Sequence, residues 1–154
     1  MAKHTISIQA VKINAPAELV WRVLTDFSAY PDWNPFPVKA ESTLQLGEPV
    51  VLYIPQGRRG KLMKQTFILE ICQAPNKIAW RLPKMGHKLL FNAYRVQTID
   101  AISETSCRYS TSDTFAGLIA GKIYKAQGKW VEKNFIKMAE ALKLRCEKMA
   151  ADVN

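Results

Sequence analysis

The chain has 154 residues, the length of one domain, and at that size folding buries roughly 68–70% of the chain's surface, enough for a real core. Apolar residues make up 48% and charged residues 23%, and no run of about 18 apolar residues occurs that would form a membrane-spanning helix. Lys and Arg number 22 against 13 Asp and Glu, and the net charge of +9 favours anionic partners without choosing among lipid headgroups, nucleic acid and acidic protein.

The N-terminus, MAKHTISIQAV, lacks the apolar core of a signal peptide, so a cytoplasmic protein is expected. Cys72, Cys107 and Cys146 are far apart and odd in number, which argues against a disulfide framework or a zinc site. With only His4 and His87 beside them, they make a poor ligand set for a transition metal. No metal or other cofactor is expected.

Residues 4–13 are rich in β-branched and apolar types and read as a strand. Ile6 and Ile8 share one phase, Val11 and Ile13 the other, so a bulge near Gln9 or Ala10 is expected. Residues 14–27 follow as a helix, with Asn14 as cap, Pro16 in the first turn and Val20, Val23, Leu24 and Phe27 at helical spacing. The segment SAYPDWNPF carries two prolines, so only a short helical turn is expected before a connection.

Strands are read at 38–43 and 49–55, then a basic tip QGRRGK, then a strand at 64–73 with Phe67, Leu69 and Ile71 on one face. Residues 77–82 alternate again, with Ile78, Trp80 and Leu82 on one face. After the loop PKMGHK come long strands at about 89–100 and 106–115, joined by a turn near Ser103–Thr105. Val131, Phe135, Met138, Leu142, Cys146 and Met149 then recur at steps of three or four. They mark one amphipathic helix of roughly 30 residues, or about 45 Å, long enough to cover one face of an antiparallel sheet.

The segments INAPAELVWRVLTDF at 13–27, YPDWNPF at 30–36, and DTFAGLIAG at 113–121 followed by the helix ending EALKLRCEK at 140–148 stand in this order along the chain. Together they resemble the START-like superfamily, in its polyketide cyclase/dehydrase and lipid-transport (SRPBCC) branch. The resemblance implies one α+β helix-grip domain over residues 1–154. In it a seven-stranded antiparallel sheet wraps around the long C-terminal helix, with two short helices after strand 1. It also implies a cavity between sheet and helix for lipids, polyketides, steroids or other apolar molecules. Members often carry a glutamate at the position of Asp113 and a histidine in the strand before. Here that strand, FNAYRVQTI, has no histidine, which weakens an enzyme reading.

The inward face is expected to serve as core and ligand wall together. Phe67, Leu69, Ile71 and Trp80 are candidate wall residues, as are Val131 and Phe135 of the helix. Tyr94, Tyr109 and Phe115 join them, a tyrosine offering an apolar body with one polar handle. Trp33, with Asn34 and Pro35, reads either as a fold-defining corner at the exit from the second helix or, being large enough, as a plug for one end of the cavity. Asp113 is in phase with Tyr109, Thr111 and Phe115, so it would sit in an apolar pocket where desolvation raises its pKa. It is the one catalytic candidate, with Arg95 as a partner across the strands, set against a plain ion-pair or solvent-facing role.

Arg58, Arg59, Lys61, Lys64, Lys84, Lys88, Lys122 and Lys125 would form a basic rim beside Leu62, Met63, Met85, Leu118 and Ile119. Such a rim suits an anionic membrane surface, and equally an unrelated set of solvated charges. His87 reads as an exposed loop residue. Gly117, Gly121 and Gly128 flank or enter the start of the long helix and would make that segment a gate for the ligand, with Gly117 equally readable as a turn residue only.

The leading expectation is a carrier or sensor of a hydrophobic small molecule, without catalysis. The alternative is a cyclase or dehydratase using Asp113 with Tyr94 or Tyr109. A third is a ribosome- or quinone-pathway-associated interaction protein. No DNA partner is expected, and RNA stands behind the small molecule because no RNA-binding signature is present.

Overall fold

A computed structural model describes residues 2–56, 60–83 and 89–153. The chain forms β1 (Lys3–Ser7), β2 (Val11–Ile13), α1 (Ala17–Thr25), a 3-10 turn (Phe27–Ala29) and α2 (Tyr30–Trp33). Then come β3 (Lys39–Ser42), β4 (Pro49–Gln56), β5 (Lys61–Gln73), β6 (Lys77–Arg81), β7 (Asn92–Ser103), β8 (Ser106–Ala116) and α3 (Ala120–Asp152).

The strands build one antiparallel sheet in the order β1-β8-β7-β6-β5-β4-β3, with β2 also paired to β8. The first strand is therefore split. Ile6 lies opposite Asp113 and Val11 opposite Tyr109, with residues 8–10 between them. This is the phase change expected near Gln9, and it lets both Ile6 and Ile13 point inward and be buried. β3 at the other edge pairs only with β4.

α1 buries Leu19, Val20, Val23 and Leu24. Its cap differs from expectation. Pro16, not Asn14, is the N-cap residue, and its carbonyl accepts from Leu19 and Val20. The Asn14 N–H is engaged elsewhere, donating to Glu147 Oε1 at 3.0 Å and tying the start of α1 to the end of α3. Lys143 also donates to that carboxylate, and these two bonds hold the Glu147 carboxyl below its ordinary pKa.

α3 has 33 residues, about 50 Å at 1.5 Å per residue. Its C-terminal half is core: Met138, Ala139, Leu142 and Cys146 are each buried against the sheet and α1. In its N-terminal half the residues facing the sheet are Ile123, Gln127, Val131 and Phe135, one helical stripe, and there helix and sheet enclose space rather than core.

One strand departs from simple alternation. The β5–β6 register shifts between Leu69 and Ile71. Leu69 is opposite Trp80 and buried, but after the bulge Cys72 takes the place opposite buried Ile78. Ile71 is thereby turned to the face of Ala79, away from the helix.

Candidate ligand-binding site

The enclosed space is a cavity of about 270 Å³ between β4–β8 and the first half of α3. Its apolar wall includes Leu52 and Ile54 from β4, Phe67 from β5, Trp80 from β6, Phe115 from β8, and Val131 and Phe135 from α3. Met63 and Trp130, each 37% exposed, stand where it meets solvent.

Phe36 enters from the loop after α2. Asn34 turns the chain there, its Oδ1 accepting from the Phe36 N–H at 2.8 Å while its own N–H bonds the Tyr30 carbonyl. Phe36 then lies edge-on to Trp130 at 5.3 Å and tilted against Phe135 at 6.0 Å. The YPDWNPF segment thus reaches the cavity through Phe36. Trp33 does not plug it but takes the corner position, packing edge-on to Tyr30 and lining a separate small cleft with Leu19, Val23, Arg145 and Met149. The physical reason is the helical turn of α2, which ends at Trp33 and leaves that ring against α1 and the far end of α3.

The polar part of the site is a row across the sheet. Strand register sets Trp80 opposite Arg95 and Arg95 opposite Asp113, and all three line the cavity. Arg95 is only 4% exposed. Its Nε donates to Thr111 at 3.3 Å and its Nη2 to the Met138 sulfur at 3.2 Å. The guanidinium lies over the Phe135 ring at 4.4 Å and 5.7 Å from that of Trp80. Such stacking suits the weakly hydrated, planar cation. Burial pushes the Asp113 carboxyl up to about 6, against the opposing pull of Arg95. Asp113 Oδ1 and Trp80 Nε1 are buried without a hydrogen-bond partner.

Of the residues expected at the site, Phe67, Trp80, Asp113, Phe115, Val131 and Phe135 line this cavity. Leu69 is buried one step beyond it, and Ile71 is turned away by the bulge. Tyr94 stands on the outer face, because β7 buries Ala93, Arg95 and Gln97 in the opposite phase. There Arg81 lies 4.1 Å over its ring, itself bonded to Glu70 and Asn92. Tyr109 points inward but behind the cavity, donating to Gln97 Oε1 at 2.6 Å, and burial raises its pKa. No tyrosine lines the cavity among the described residues, so the pairing of Asp113 with a pocket tyrosine is not formed.

Sequence reading missed Phe36, Leu52, Ile54 and the glutamines Gln56, Gln65 and Gln127, all at the cavity. Alternation in β4 pointed to Leu52 and Ile54. Nothing local distinguishes the glutamines from solvent-facing ones.

Lys61 and Lys64 lie on β5 and Lys122 and Lys125 on α3, with Leu62 and Leu118 exposed. Arg58, Arg59, Lys84, Met85, His87 and Lys88 lie outside the described residues. Gly117 is a turn residue held in place. Its φ is +116°, and a Cβ there would meet the Leu90 carbonyl oxygen at 2.6 Å. Among the described residues no cluster of metal-ligating side chains occurs, and no helix is long and apolar enough to cross a membrane.

A sheet gripping a long terminal helix over a cavity defines the helix-grip class. Residues 3–147 match the family described as polyketide cyclase/dehydrase and lipid transport, and the chain belongs to that family. Among solved structures it is similar to the ZhuI aromatase/cyclase from Streptomyces sp. R1128. That match has TM-score 0.74 and 21% identity, covering 96% of this chain and 95% of that one. It is also similar to a START superfamily protein from Mycobacterium smegmatis, with TM-score 0.68 and 19% identity over 95% and 99% of the two chains. Norcoclaurine synthase from Thalictrum flavum, in complex with dopamine and hydroxybenzaldehyde, matches with TM-score 0.64 and 14% identity over 99% and 89%. At these identities the likeness is one of fold. A search of curated protein sequences gave no significant match.

Proposed function

We propose that this protein binds a compact hydrophobic molecule in the cavity beneath α3, as a carrier or sensor. The observation that carries the reading is the cavity itself: a partly open, largely aromatic and aliphatic wall with a few convergent polar groups. At about 270 Å³ it falls just under the usual range of roughly 300–1,000 Å³ for ligand pockets. That size suits one or two rings or a short chain rather than a two-chain lipid. The complex named for norcoclaurine synthase, with dopamine and hydroxybenzaldehyde, is of the same compact aromatic kind.

The test is native mass spectrometry of the protein purified from its own host, followed by solvent extraction. A stoichiometric apolar compound supports the reading. An empty protein whose melting temperature is unmoved by a broad panel of apolar ligands overturns it and moves weight to a macromolecular partner.

One observation favours a second reading, acid–base catalysis on the bound molecule. Asp113 is a cavity-lining carboxyl whose pKa of about 6 lies near neutral pH, where a proton-transfer group is most effective. Turnover of a bound compound that is lost in Asp113→Asn, with folding intact, is the result this reading requires.

A further inference from the structure

Arg95 and Asp113 are both buried, both face the cavity and stand opposite each other on neighbouring strands. Adjacent strands lie only about 4.8 Å apart. Nevertheless the two side chains do not join in an ion pair. The ion pairs among the described residues are Lys39–Glu41, Arg81–Glu70 and Lys143–Glu147. Arg95 spends Nε on Thr111 and Nη2 on Met138, and its guanidinium also lies close enough to the Tyr109 hydroxyl to lower that group's pKa. Asp113 Oδ1 is buried and unpartnered. An arginine cation and an unpartnered carboxylate oxygen thus face one space without closing on each other. Each is costly to bury unpaired.

Chemistry narrows what fills that space. A ligand carboxylate would pair with Arg95 and repel Asp113. An amine would do the reverse. A carbonyl would accept from Arg95 and leave Asp113 unsatisfied. A hydroxyl answers both with one oxygen, accepting from the guanidinium and donating to the carboxylate.

We propose that the ligand is a compact aromatic or alicyclic alcohol or phenol whose hydroxyl sits between the Arg95 guanidinium and Asp113 Oδ1. The proposal rests on the cavity being a ligand site, and it assigns the ligand's polar end. Phe67, Phe115 and Phe135 surround the same space and take the ring.

The test uses three probes of one shape: 2-naphthol, 2-methoxynaphthalene and naphthalene, each titrated calorimetrically into the full chain at neutral pH. Wild type is expected to hold 2-naphthol roughly tenfold or more tighter than 2-methoxynaphthalene, the scale of one hydrogen bond to a charged group. In Asp113→Leu the two are expected to bind alike, and in Asp113→Asn the gap is expected to narrow. Equal affinities in wild type, or a preference that survives Asp113→Leu, overturn the hydroxyl assignment and leave the cavity reading standing. If none of the three probes binds, the assignment of a compact ring alcohol is overturned, while the cavity reading stands or falls by the broad ligand panel.

Discussion

Arg95 and Asp113 are direct cross-strand partners on β7 and β8, both turned toward α3, and no salt bridge closes between them. The pair keeps a charged, polar spot inside a wall that is otherwise mostly apolar. That spot gives the fold a measurable cost and the site its chemistry.

The cost appears as a pH dependence. The Asp113 carboxyl is raised from 3.8 to about 6, so between those values the folded protein holds a proton that the unfolded chain has released. Stability contributed by this group therefore falls as pH rises from about 4 to about 6. By neutral pH the loss is of order 3 kcal/mol. Asp113→Asn is expected to remove that slope and to be more stable than wild type at pH 7, with little difference at pH 4. Urea unfolding at the two pH values checks this, and a variant less stable at pH 7 would contradict it.

Phe135 joins the two halves of α3's buried stripe and carries the Arg95 cation on its face. Truncating it removes a 1% exposed ring. Phe135→Ala is expected to lower stability by about 3–5 kcal/mol, the usual cost for a core phenylalanine, measured by urea midpoint at constant slope.

Tyr94 gives the opposite expectation. It lies outside the cavity under Arg81, so Tyr94→Ala is expected to leave the affinity for 2-naphthol within about twofold, the effect of a distant, independent site. Phe67→Ala, in the wall, is expected to weaken it several-fold by the loss of apolar burial. Isothermal titration of both variants against wild type separates the faces of the sheet.

Gly117 is required by two independent constraints, a positive φ and the Leu90 backbone pressed against it. Gly117→Ala is expected to cost more than about 1 kcal/mol, because left-handed strain and a backbone clash add. A thermal melt showing no loss would mean that the segment between β8 and α3 is free to move.

Alternation and period carried most of the architecture. The inward phase of Ala93, Arg95 and Gln97 is opposite that of Tyr94 whichever way the strand is laid down, because side chains alternate. Asp113, Thr111 and Tyr109 share a face for the same reason, and the stripe of α3 follows from 3.6-residue spacing. These local periodicities, with the helix-grip segments, also placed six of the wall residues.

Only the tertiary structure decided the rest. The bulge after Leu69 reverses the facing of Ile71, and a bulge depends on pairing with a second strand, not on its own sequence. Trp33 and Phe36 are three residues apart, yet a helical turn and the Asn34 bond send one ring to the far end of α3 and the other into the cavity. Above all, composition shows an arginine and an aspartate but not their distance. Whether two buried charges neutralise each other or stay open to a ligand is settled by angstroms between strands, which long-range packing sets.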